Sequence, residues 1–225
     1  TWVAGRLGDG GGVAAVSAGA ANESLFYLRT LLNRLGIEGG TFQVEQGEEA
    51  GLTGYPRLRL RADRAPNAAG AELQGFQRSD GLPTVEDGAT LVVLGDALAT
   101  ASAEYGANAG FFLYVGSHLY PAARNATAIL PAATVPEMEG TFVNYEGRVQ
   151  RFHQALRSPG VARPAWMSLS RLLEHLDAAD GVLEVGDAFA ALAASTAPMK
   201  GLTWVGLGLR GELLSEAGQP AVAAE

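Results

Sequence analysis

Residues 90–117 read TLVVLGDALATASAEYGANAGFFLYVGS, and the apolar runs at the two ends decide the fold class. Leu91, Val92, Val93 and Leu94 follow one another without a polar break and lead into Gly95-Asp96, where a strand ends and a helix begins. FFLYVGS (111–117) is a second near-continuous apolar run of the same kind. Neither run alternates with polar residues, so each predicts a strand buried on both faces. The segment between them, ALATASAEYGANAG (97–110), is helix-compatible and long enough for a crossover. Two such strands and such a connection predict a parallel sheet covered on both sides.

The chain on either side extends this pattern. VAAVSAG (13–19) reads as a third buried strand, and ANESLFYLRTLLNRLG after it as a helix. Asn22 is the expected cap, Glu23 sits in the first turn, Leu25, Leu28, Leu31, Leu32 and Leu35 form the stripe, and Gly36 ends it. Residues 37–89 are less regular. TFQVEQGEE predicts a short strand, and RADRAPNAAGAELQGFQRSDGLPTVEDGA a long excursion with at most a short helix. NATAILPAA predicts a strand that Pro131 stops or holds at an edge, because proline cannot donate to a ladder. TFVNYEGRVQRF predicts a hairpin with Gly147 at positive φ. RPAWMSLSRLLEHL predicts an amphipathic helix from about Pro164, and GDAFAALAAS a shorter one. The expected fold is α/β: a mostly parallel, doubly wound sheet with flanking helices and an attached β-hairpin. It occupies residues 1–197, and the Gly/Ala-rich residues 198–225 are expected to form a loosely packed tail.

Composition narrows the function. A net charge of −8 with no long basic stripe excludes nucleic acid as a partner class. The densest basic run, RLRLRADR (57–64), reads as an exposed strand or loop. With no cysteine, the chain has no disulfide, thiolate nucleophile or iron–sulfur ligand. His118, His153 and His175 have no metal-motif spacing, and no apolar run is long enough to insert in a membrane. The first residues, TWVAGRLGDGGG, lack signal-peptide order and an initiator Met, which suggests a processed chain or a piece of a larger one.

Several motifs invite a catalytic reading. GDGGG (8–12) precedes a strand instead of following one and fits no phosphate-loop pattern, so it reads as an entry segment. Gly95 and Asp96 stand where open α/β sheets bind ligands, although Asp is equally common as a helix cap. Glu137 and Glu139 are spaced as paired carboxylates but lack a nearby nucleophile or metal ligand. Ser117-His118 lacks a nucleophile elbow. AILPAATVPEMEGTFVNYEGRVQRF (128–152) gathers Asn, Glu and Arg on a Gly-permitted loop and hairpin. Those side chains could hold backbone or a polar ligand, and the residues alone do not choose.

That last stretch, followed by ARPAWMSLSRLLEHL, resembles a signature of the molybdopterin oxidoreductase superfamily at Leu130, Pro131, Glu137, Glu139, Gly140, Thr141, Asn144, Glu146, Gly147, Arg148 and Gln150. Residues 21–29, Ala-Asn-Glu-Ser-Leu-Phe-Tyr-Leu-Arg, look like the family's segment before a Leu-rich helix. Within the superfamily, the resemblance is strongest to the large iron–sulfur subunit of bacterial NADH–quinone oxidoreductase, respiratory complex I. The resemblance implies a non-catalytic structural portion that scaffolds the peripheral arm at the cytoplasmic face of the bacterial inner membrane. Its partners would be the other portion of the same subunit and other peripheral-arm subunits. No cofactor is expected in this chain: iron–sulfur clusters belong to a missing N-terminal part or to other chains, and molybdopterin is not expected to survive. By the same resemblance Glu139, Gly140, Thr141, Asn144, Glu146, Gly147 and Arg148 would line a vestigial pterin groove. The alternative is a fragment of an active molybdenum or tungsten bis-pterin oxidoreductase such as a formate dehydrogenase.

Overall fold

The computed structural model describes Val3, residues 11–176 and residues 181–214. In chain order its strands and helices are β1 (Gly12–Ser17), α1 (Asn22–Arg34), β2 (Thr41–Gln43), β3 (Ala50–Leu52), β4 (Tyr55–Leu60), α2 (Ala68–Leu73) and β5 (Gln77–Arg78). There follow β6 (Thr90–Leu94), β7 (Phe111–Gly116), β8 (Ala128–Pro131), β9 (Gly140–Val143), β10 (Arg148–Phe152), α3 (Ala165–His175), α4 (Val185–Ser195) and β11 (Glu212–Leu213). Six strands form one sheet in the order β5-β2-β1-β6-β7-β8, and every pairing in it is parallel.

The apolar runs fill both faces of this sheet, as expected. Ala14, Val92, Leu113 and Ala128 are in register across four strands and point to one side, where α1 and α3 supply Leu25, Leu28, Trp166 and Leu169. One residue on, Ala15, Val93 and Tyr114 point to the other side, because successive side chains of a strand alternate. Leu98, Ala122, Ala123 and Val85 cover that second face. β8 is the edge strand and ends at Pro131, where the missing N–H costs no ladder bond.

The second face corrects one expectation. Residues 97–110 do not form an α-helix; a 3-10 turn over Gly95–Thr100 gives way to successive turns. Side-chain amides hold these turns: Asn125 Nδ2 donates to the carbonyls of Ala103 and Tyr105, and Asn108 Nδ2 to that of Val85. The segment also passes so close to the sheet that a Cβ on Gly106, at φ +78°, would sit 2.8 Å from a Leu91 methyl. Alanine content alone predicts a helix there; the long-range amides and the close approach override it.

A second sheet, β11-β10-β9, is antiparallel. Gly147 turns its hairpin at φ +78°, as expected. Val143 and Val149 pack there against Phe189 and Leu192 of α4. The segment expected to be a loose tail contributes to this layer: Met199 and Leu207 are buried, and β11 pairs with β10. Residues 215–225 of that expected tail, and residues 8–10 of GDGGG, lie outside the described residues. The excursion between β2 and β6 holds α2 and β5 and a two-stranded ribbon, β3-β4.

Candidate functional site

The chain leaves β1 toward β2 and β6 toward β7, in opposite directions across the sheet, so the strand order reverses between β1 and β6. A crevice opens beyond the carboxyl ends of strands at such a point. Here it has a volume of about 460 Å³ and is bordered by Ser17, Ser24, Gly95, Asp96, His118 and Thr134, among smaller and apolar residues. Two glycines shape its floor. Gly95 has φ +76°, and a Cβ there would lie 2.6 Å from Ser17 Cβ; a Cβ on Gly116 would run into the Tyr114 hydroxyl. That hydroxyl lies 2.7 Å from the His118 carbonyl and 3.2 Å from the Gly95 carbonyl, tying β7 to the loop after β6. Burial, reinforced by Tyr120 and Asp96, pushes its pKa up to about 12, so it remains a neutral donor.

The N-terminus of α1 reaches the same crevice. Its cap is Ala21, which offers no side-chain acceptor, so the expected capping role of Asn22 is not realised. Asn22 is instead the first helical residue, fully buried, and its side chain is used elsewhere. Ser24, in the first turn, borders the crevice with its Oγ buried and lacking a hydrogen-bond partner.

Behind the crevice a buried polar network clasps the hairpin to the sheet. Thr141 donates its N–H to Glu23 Oε2 and its hydroxyl to Glu23 Oε1, each at 2.9 Å. Asn22 Nδ2 donates to Thr141 Oγ1 at 3.0 Å. Asn67 Nδ2 reaches Asn22 Oδ1 and the Ala20 carbonyl, while Asn67 Oδ1 accepts the Val143 N–H at 2.7 Å. Burial of Glu23 raises its carboxyl pKa from 4.5 to about 7, against the opposing effect of the Thr141 bonds. Gly140 fits beside this network because a Cβ would press on Ala21, Glu23 and Phe152.

The other signature residues also have local partners. Glu139 Oε1 lies 2.8 Å from His153 Nδ1, and its carbonyl accepts the Trp166 indole N–H. Glu137 Oε2 accepts the Thr134 N–H and closes a capping box, so the two acids are not arranged as a catalytic pair. Asn144 Oδ1 accepts the N–H groups of Glu146 and Arg148 and organises the hairpin turn. Glu146 accepts the Tyr145 hydroxyl, and Arg148 donates to the Gly211 carbonyl. Glu139, Asn144 and Gly147 border three separate cavities, none of them the crevice. The sequence reading did single out Asp96, which borders the crevice. Glu23 and Ser24 entered only as a first-turn acid and as part of the family-like segment 21–29, with no site role, and Asn67 carried no signal at all.

Among the described residues no cluster of three or more His, Asp or Glu could hold a metal ion. Ser117 Oγ and His118 Nδ1 are 2.9 Å apart but exposed. No described helix is long and apolar enough to cross a membrane.

Comparison with known proteins agrees with the position of the signature. Residues 90–175, from β6 to the end of α3, match the family model described as molybdopterin oxidoreductase. The mitochondrial NADH-ubiquinone oxidoreductase 78 kDa subunit of Candida albicans is 44% identical over 68 residues, 30% of this chain and 9% of that protein. The F420-dependent formate dehydrogenase 2 subunit alpha of Methanococcus maripaludis is 40% identical over 70 residues, 31% of this chain and 10% of its own. The NADH-ubiquinone oxidoreductase 75 kDa subunit of Reclinomonas americana is 40% identical over 67 residues, 30% of this chain and 10% of its own.

Proposed function

We propose, from the match of residues 90–175 to the family model described as molybdopterin oxidoreductase, that the chain is a non-catalytic structural portion of the large iron–sulfur subunit of a bacterial NADH–quinone oxidoreductase. In this reading it scaffolds the peripheral arm on the cytoplasmic side of the inner membrane. It packs against the rest of its own subunit and against neighbouring subunits, and electrons pass through clusters held elsewhere in the complex. One observation carries the proposal: the signature's polar side chains are spent on each other and on backbone. Thr141 is committed to Glu23, Asn144 to the hairpin amides and Arg148 to Gly211.

The crevice fits a pterin dinucleotide poorly. Such a cofactor carries a pyrophosphate, which calls for cationic side chains or a row of free amides. No Lys or Arg is among the described lining residues, and Asp96 adds negative charge.

A second reading, a fragment of an active molybdenum or tungsten bis-pterin oxidoreductase such as a formate dehydrogenase, is favoured by one specific feature. The unpartnered Ser24 hydroxyl, at the positive end of a 13-residue helix, is the kind of contact an anion would use. Formate dehydrogenases are also among the relatives. Metal and pterin analysis of the parent complex separates the two readings. The scaffold proposal expects neither molybdenum, tungsten nor oxidised-pterin fluorescence in stoichiometric amount. Stoichiometric metal together with pterin would replace it with the enzyme reading.

A further inference from the structure

The ribbon β3-β4 stands apart from both cores. A two-stranded sheet alone is marginal in water, and this one is exposed on both faces, with Leu52, Tyr55, Leu58 and Leu60 between 49% and 64% accessible. Below its strands it is anchored by the Gln46–Asp63 bridge and by the Gly47 N–H to the Ala62 carbonyl. Arg61 also stacks on the Tyr145 ring of the β9-β10 turn, 4.1 Å from its centroid. Both strands have an unpaired outer edge among the described residues.

A register shift between Gly51 and Leu52 interrupts the pairing, but Leu58, Arg59 and Leu60 of β4 alternate. Leu58 and Leu60 fall on one face of the ribbon, and Ala50 joins them by pairing with Leu60. Arg59 falls on the opposite face, exposed, in a chain whose net charge is −8, and Arg61 follows just after the strand, held on the Tyr145 ring. The only ion pair that engages Arg59 among the described residues is a loose contact with Glu49 at 3.7 Å, too solvated to occupy it. A strand added at the outer edge of β4 would send its side chains alternately to the leucine face and the arginine face.

We propose that β4 is a docking edge for an extended segment of a neighbouring protein subunit in which apolar and acidic residues alternate. Backbone pairing would provide the adhesion, and the leucine/arginine alternation would set register and choice of partner. That the partner is a subunit of the same complex rests on the function proposed above; the chemistry of the segment does not. A lipid surface is the poorer match. Leu52 and Tyr55 do stand exposed at the tip, but Arg59 is interleaved with Leu58 and Leu60 along the strand, and an acidic chain is repelled by anionic headgroups.

Photocrosslinking in the intact parent complex tests this. A benzophenone amino acid is placed at Leu58 and, as control, at Leu119, which is exposed and lies outside the ribbon. The expected result is a Leu58 adduct to an alternating apolar–acidic stretch of another subunit, absent from the control. It should be reduced at least tenfold by Arg59→Glu, with the thermal midpoint of the complex unchanged. An adduct to the same polypeptide, to a second copy of the chain or to lipid would overturn the proposal, as would the absence of any adduct. Failure of the functional reading shows separately, as absence of NADH–quinone oxidoreductase subunits from the purified complex.

Discussion

The crevice beyond the parallel sheet and the hairpin behind it meet at α1, yet they treat polar groups in opposite ways. In the hairpin clasp Glu23, Asn22, Asn67 and Thr141 satisfy one another although all four are fully buried. In the crevice, in the same first turn of that helix, the Ser24 hydroxyl is left unpaired. A motif rich in acids, amides and arginine looks like a binding site in sequence. Here its residue types mainly fasten one layer to another, and the open, under-satisfied surface lies among serines and glycines that carry little sequence signal.

Breaking the clasp should have the largest effect. Thr141→Val keeps shape but removes the hydroxyl, leaving a Glu23 oxygen and the Asn22 amide unpaired in the interior. The expected cost is about 4 kcal/mol, which lowers the thermal midpoint of a domain this size by roughly 10 °C. A midpoint unchanged in differential scanning calorimetry would mean the clasp is ornamental.

The pH dependence sharpens the same point. The folded-state pKa of Glu23 is raised from 4.5 to about 7, so the folded protein holds a proton that the unfolded chain has released. Its stabilising contribution is complete below about 4.5 and is lost as pH rises through about 7, a total on the order of 3 kcal/mol. Glu23→Gln imitates the protonated acid, with the amide oxygen accepting the Thr141 N–H and the amide nitrogen donating to Thr141 Oγ1. Urea titrations at pH 5 and pH 8 should show the wild type losing stability across that interval and the variant losing about 2.5 kcal/mol less. Parallel curves would place the charge elsewhere.

The smallest effect belongs to the other side of the comparison. Ser24→Ala removes a buried hydroxyl without a partner and should stabilise the chain by about 1 kcal/mol. Thermal denaturation would show a rise in midpoint, whereas a fall would reveal a partner bound to Ser24.

The central sheet was readable because its signal is local. The apolar runs of β6 and β7, Pro131 at the edge of β8 and Gly147 at the hairpin each carry their structural consequence in a few adjacent residues. What escaped the sequence depends on distant partners. Asn22 looks like a cap until Thr141, 119 positions away, is brought beside it. Residues 97–110 look helical until Asn125 and Asn108 hold their turns. The burial of Met199 and Leu207 follows from the shape of the hairpin layer, not from any periodicity of their own. For the site, Asp96 could be placed at a strand end from sequence, but the roles of Glu23 and Asn67 arise only once α1, α2 and β9 converge.

Native-state hydrogen exchange at the amides of Thr141 and Val143 tests the central claim most directly, because these two N–H groups donate into the clasp through Glu23 and Asn67. If the signature hairpin is a committed part of the scaffold, both amides exchange only through global unfolding, as slowly as those of the central strands β6 and β7. Exchange by local opening at low denaturant would contradict it, and would mean that the hairpin detaches from the sheet as a mobile, ligand-ready element.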